Sequence, residues 1–141
     1  MLNMLTRLSL PLFETYPALR ERLEWIPIGD WPTPILHARN FGNRMNLPRF
    51  YIKREDLSHA ECGGNKTRGL EFLLADAQRR GLRTIHTFSS VGSHHLCRTA
   101  WHAQRLGIRT VAIVLDQPNA QYVQSHLAWA MKSGARYVHA N

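Results

Sequence analysis

The sequence predicts an α/β domain, a parallel sheet with helices on both faces, and three observations lead there. An apolar stripe of helical period, a glycine and a β-like run recur in that order three times. The second β-like run, 110–115, is apolar almost throughout, as expected of a strand buried on both faces. The links between these pieces are short, and parallel neighbours need a crossover that a helix supplies.

Residues 1–49 read as an N-terminal arm laid over the body, because they hold Pro11, Pro17, Pro27, Pro32 and Pro34 and only one weak helix, at 18–23. Residues 50–141 read as the α/β domain, opening on the strand Phe50-Tyr51-Ile52-Lys53. In the first unit Leu70, Leu73, Leu74 and Ala77 share a helix face, Gly81 ends the helix, and 84–88 is the strand. In the second, Leu96, Ala100, Ala103 and Leu106 form the face and Gly107 ends it before 110–115. In the third, Val123, Leu127, Ala130 and Met131 precede Gly134 and the strand 136–139. The stops Gly81-Leu82-Arg83, Gly107-Ile108-Arg109 and Gly134-Ala135-Arg136 echo one another, since a glycine takes the left-handed conformation that closes a helix. The sequence ends at Asn141, just after the third strand and with no helix to cover it, which reads as a missing C-terminal part.

At 141 residues and 44% hydrophobic content the chain suffices for one core but is short for an enzyme that closes a cofactor between two domains. The formal charge of +8 comes from 18 Lys and Arg against 10 Asp and Glu. These basic residues are scattered, apart from Arg79-Arg80, so a solvated surface is expected rather than a nucleic-acid footprint. Asn3, Thr6 and Arg7 interrupt the apolar start, so neither an export signal nor a membrane span is expected. Cys62 and Cys97 lack CxxC spacing and are too few for a disulfide framework, which points to a reducing cytoplasm. His59, Cys62, His94, His95 and Cys97 fit no closed zinc pattern, and no metal is expected.

Two loop-to-helix junctions carry chemistry. In Cys62-Gly63-Gly64-Asn65-Lys66-Thr67-Arg68 the glycines allow close backbone approach to a ligand, Asn65 is a suitable N-cap, and Lys66 falls at the first helical position. The helix dipole disfavours an ammonium there, so Lys66 is a candidate nucleophile and base; the bland alternative is a solvated lysine. One unit later, Ser89-Ser90-Val91-Gly92-Ser93-His94-His95 leads into the next helix, where free amides favour a carboxylate or phosphate. Ser93, His94 and His95 would line that pocket; the alternative is a serine cap with two exposed histidines. Arg54-Glu55-Asp56 reads as a salt-bridged turn.

Taken together, Thr33-Pro34, Tyr51-Ile52-Lys53-Arg54-Glu55-Asp56-Leu57, Gly63-Gly64-Asn65-Lys66-Thr67-Arg68 and Leu70-Glu71-Phe72-Leu73 resemble the front of the aminocyclopropane-carboxylate deaminase and D-cysteine desulfhydrase family. That family has the tryptophan-synthase-β type of pyridoxal-phosphate (PLP) fold, here incomplete, and the resemblance runs from about Trp31 to the end. It implies that Lys66 forms the internal aldimine with PLP, with Asn65 and His94 beside the cofactor. It implies that Ser93 acts in catalysis and binds the substrate carboxylate, His94 and His95 adjoining. A small amino acid is the implied substrate and a homo-oligomer the implied complete form, a separate C-terminal chain being one way to complete it. Three departures stand out: His94 occupies the place of the family's asparagine, Gly92 that of the preceding glutamine, and Cys97 that of its arginine, with Arg98 one position later on a different helical face. The family's phosphate loop, pyridine-nitrogen partner and substrate tyrosine come from a later half that the chain lacks, so weak PLP affinity is expected of the chain alone.

Overall fold

The computed structural model describes residues 10–140; the expectations for 1–9 and Asn141 lie outside the described residues. In chain order the elements are α1 (Pro11–Thr15), a 3₁₀ turn (Pro17–Glu21), β1 (Ile35–His37), α2 (Arg39–Arg44), β2 (Tyr51–Lys53) and a second 3₁₀ turn (Glu55–Leu57). The α/β part follows as α3 (Lys66–Arg79), β3 (Thr84–Ser90), α4 (His94–Arg105), β4 (Arg109–Leu115), α5 (Gln121–Lys132) and β5 (Arg136–His139).

The echo in the sequence is a set of three Schellman caps. Gly81, Gly107 and Gly134 take φ of 66°, 71° and 70°. In each case the amide of the residue after the glycine reaches back five positions, Leu82 to Ala77, Ile108 to Ala103 and Ala135 to Ala130. The residue after each glycine is therefore apolar for a reason: it folds back against the last turn, and Ile108 shares a buried cluster with Ala103 and Ala77.

Strands β3, β4 and β5 form a parallel sheet in that order, with Thr84 opposite Arg109 and Val111 opposite Arg136. The α/β class with a parallel sheet is thus observed. The strand order advances one way only, and right-handed crossovers that advance one way put their helices on one face. Leu96 and Ala100 of α4 and Ala130 of α5 accordingly pack on Ala112 and Val114 of β4, while α3 packs beside α4 through Leu70, Leu74 and Ala77. The second helical layer expected from the sequence is not among the described residues. On that opposite face Phe88 is 64% and Val138 41% exposed.

Three further differences have simple causes. Leu73 and Met131, expected in the core, sit at the edges of their stripes and are exposed. The strand at 51–53 pairs antiparallel with β1, an element with no apolar alternation to announce it, instead of joining the main sheet. The small sheet therefore joins residues on either side of position 49. The arm is fastened by Glu71, which is buried in α3 and accepts four hydrogen bonds: Trp25 Nε1 at 2.8 Å, Trp31 Nε1 at 2.6 Å, and the Ile28 and Gly29 amides at 3.0 Å. No helix among the described residues is long and apolar enough to cross a membrane.

Candidate active site

The loop before α3 is shaped from two sides. Ser58, fully buried, accepts from the Gly64 amide at 2.8 Å and donates to the Gly64 carbonyl at 3.1 Å. From the other side the Arg98 guanidinium of α4 donates through Nε to the Gly63 carbonyl at 2.6 Å. A Cβ on Gly63 would collide with the Asp56 carbonyl oxygen, and one on Gly64 would lie 2.5 Å from Arg98 Nε, with Gly64 at φ 145°. Both glycines are thus required by the protein's own packing, where the sequence alone suggests close approach of a ligand.

Lys66 is the first residue of α3, and its side chain is exposed. Asn65 does not cap the helix as expected. Its backbone is already helical, at φ −59° and ψ −20°, and its side chain makes no capping bond. The Gly64 carbonyl instead accepts from the Thr67 amide at 3.1 Å, which leaves the Asn65 amide group at the rim of a cleft of about 600 Å³ shared with His94, Arg98, Gly63 and Gly64.

Ser93 is the N-cap of α4, and its hydroxyl accepts from the His95 amide at 3.2 Å. An accepting hydroxyl keeps its own hydrogen to donate. His94 is exposed and stacks edge-on against His126 of α5, with ring centroids 3.9 Å apart. His126 Nδ1 in turn donates to the Gly92 carbonyl at 2.9 Å. Partial desolvation of its ring first, then the neighbouring His126 and Arg98, hold His94 below the usual histidine range although the residue as a whole is exposed. Burial, then the charge of Lys66, does the same to His95. Both imidazoles are therefore neutral at pH 7, each with one donor and one acceptor nitrogen. His95 also lines an apolar cavity of about 310 Å³ with Leu70, Leu73, Ile85 and Phe88.

Asn65 and His94 thus face one cleft, His95 feels the charge of Lys66, and Ser93 organises the turn that carries both histidines. Three residues here go beyond what the sequence predicts. His126 and Ser58 give no signal beyond their residue types, whereas Arg98 is visible but its helical phase points it elsewhere. Arg54-Glu55-Asp56 is the salt-bridged turn expected: Arg54 meets Asp56 at 2.6 Å and Arg68 meets Glu55 at 2.8 Å. Among the described residues no group of three His, Cys, Asp or Glu could hold a metal ion.

Comparison with known proteins gives a consistent set of relatives. The family described as "Pyridoxal-phosphate dependent enzyme" matches residues 26–136. A protein of Pyrococcus abyssi (strain GE5 / Orsay), named as a 1-aminocyclopropane-1-carboxylate deaminase, is 40% identical over 97 residues, covering 69% of this chain and 29% of that one. A nocardicin C-9′ epimerase of Nocardia uniformis subsp. tsuyamanensis is 42% identical over 88 residues, covering 62% and 27%. A solved structure of an ACC deaminase homologue superposes with a TM-score of 0.75 at 27% identity, over 88% of this chain and 37% of that one. The chain spans under a third of the length of these two sequence relatives.

Proposed function

Since the chain belongs to the family of pyridoxal-phosphate-dependent enzymes, we propose that it is the N-terminal portion of a deaminase- or desulfhydrase-like lyase acting on a small amino acid in the cytoplasm, with Lys66 the amine that carries the cofactor. The observation that carries this reading is the setting of Lys66, an exposed primary amine at the start of α3, directly after the Gly63-Gly64 turn that Arg98 of the next αβ unit holds at 2.6 Å. That donor set fits the aldehyde end of PLP, which when bound supplies an electron sink for bonds next to the substrate nitrogen.

The chain's own residues would bind, orient and move protons. Ser93, with one lone pair committed to the His95 amide, donates its hydroxyl hydrogen to the substrate carboxylate. His94 and Asn65 meet the cofactor from the shared cleft. His95, neutral at pH 7, accepts or returns a proton beside the Lys66 amine. The phosphate and the rest of the substrate pocket fall to a C-terminal remainder, in the same chain or a separate one, and the complete form is a homo-oligomer.

A module without catalysis of its own is the second reading, favoured by Phe88 and Val138, which are exposed on the sheet face opposite the described helices. Visible absorption of the chain mixed with PLP, beside Lys66→Ala and before any reductant, separates the two. A new band in the wild type that the variant lacks supports the enzyme reading. Two spectra identical to free PLP favour the module.

A further inference from the structure

We propose that Arg98 is the positioning residue of this site: its guanidinium ties the Gly63-Gly64 turn that precedes Lys66 to the turn at His94, and so holds the two halves of the site in register. The inference rests on the reading of Lys66 as the cofactor amine. Arg98 is half-buried, donates from Nε to the Gly63 carbonyl at 2.6 Å, and reaches the His94 carbonyl from Nη1 at 3.4 Å. Those carbonyls belong to residues 31 positions apart in the chain, on different αβ units, and no covalent link closer than that joins them.

Gly64 shows how closely the side chain is fitted, since a Cβ there would meet Nε at 2.5 Å and Cζ at 3.1 Å. Ser58 holds the same loop from the opposite side. Ser58 ties the Gly63-Gly64 turn to its own neighbourhood; Arg98 ties that turn itself to α4, where residues earlier in the loop meet α4 through the Glu61–Arg105 pair at 3.3 Å and the His59–His102 ring contact. A guanidinium presents Nε and a terminal nitrogen in a fixed fork and can serve two carbonyls at once, whereas a lysine ammonium on a flexible stem serves them less well. The positive charge also lies beside His94 and helps to keep that imidazole neutral.

The test uses the full chain and the variants Arg98→Lys, Arg98→Gln and Arg98→Ala, with two readouts. Amide hydrogen exchange without PLP reports the loop through Gly64, bonded to Ser58, and Thr67, bonded to Gly64. Reduction with borohydride after mixing with PLP, followed by peptide mapping, compares labelling at Lys66 with that at Lys53 and Lys132. Arg98→Ala is expected to speed exchange at Gly64 and Thr67 by about tenfold or more, the usual weight of a charge-assisted bond, and to leave α5 unchanged. Labelling at Lys66 should fall towards that at Lys53 and Lys132, and Arg98→Lys should restore part of both.

Unchanged exchange and unchanged Lys66 labelling in Arg98→Ala overturn the proposal. So does a lysine variant no better than alanine, which would make the residue a spacer and not a tie. Wild-type chain that labels all three lysines alike sinks the cofactor assignment of Lys66, while the exchange arm still decides whether Arg98 holds the loop. If Arg98→Ala does not fold, Arg98→Gln and Arg98→Lys decide by the same readouts.

Discussion

Replacing Glu71 by glutamine changes one oxygen to an amide and leaves shape almost untouched, so its cost isolates the role of the buried carboxylate. Oε1 accepts from Trp31 Nε1 and from the Ile28 and Gly29 amides, and Oε2 accepts from Trp25 Nε1. Glutamine can present its carbonyl to the first three donors only by turning its NH₂ towards the Trp25 indole, donor against donor. One hydrogen bond to a charged acceptor is worth roughly 1.5–3 kcal/mol, and the other three weaken when the charge goes. The expected loss for Glu71→Gln is about 3 kcal/mol, and for Glu71→Ala about 5 kcal/mol, with four donors stranded. Either is a large share of the roughly 5–15 kcal/mol that holds a domain together. Urea unfolding followed by far-ultraviolet circular dichroism reads it without relying on the tryptophans being perturbed. In a Trp25→Phe background, which removes the opposed donor, Glu71→Gln should cost about 1.5 kcal/mol less. A glutamine variant within about 0.5 kcal/mol of wild type, or no difference between the two backgrounds, would refute the assignment of Glu71 as the fastener of the arm.

His102 should make the fold acid-sensitive. It is buried, its Nε2 has no partner among the described residues, and burial foremost, with the neighbouring His59, lowers its pKa from 6.5 to about 4. The unfolded chain then binds more protons than the folded one between those values, so the stability is whole above pH 6.5 and drains as pH falls towards 4. From pH 7 to pH 5 the wild type should lose about 2 kcal/mol that His102→Leu does not, because each pH step below the unfolded value costs about 1.36 kcal/mol; parallel urea midpoints for the two proteins would count against it. Gly92→Ala should cost about 1–3 kcal/mol and swing α5 away from the Ser93 turn, because the new Cβ would lie 2.7 Å from Val123 Cα. Thermal melting and the loss of the His94–His126 ring contact in NMR spectra check this; an unshifted melting temperature contradicts it.

The parts of this fold that can be read from the sequence are those whose cause is local. A Schellman cap spans six residues, so each Gly-apolar-Arg echo carries its whole explanation within one turn, and β4 declares its burial in its own composition. Strand β1 is three exposed residues whose only reason to be extended is β2, sixteen positions later. Glu71 looks like one more polar residue in an amphipathic helix, because its donors lie 40 to 46 residues upstream. Leu73 falls in the expected core because periodicity gives a stripe but not its width; that is set by how closely α4 approaches.

The site divides along the same line. Ser93 as a cap is legible because its bond to the His95 amide lies within Gly-Ser-His-His, and Lys66 at a helix start because two glycines interrupt the chain just before it, although Ser58 and Arg98 shape that turn. Asn65 misleads because a residue's suitability as a cap does not say where the helix begins. Ser58 and Gly64 have already closed that turn one residue earlier. Arg98 marks the boundary most clearly. Its one-position offset from the family's arginine suggests a side chain turned away from the chemistry. On α4 that offset, about 100° of rotation, is what aims the guanidinium at Gly63, while Cys97 is buried in the arginine's stead. Helical phase places a residue on a face, but what that face meets depends on the packing of α3 against α4.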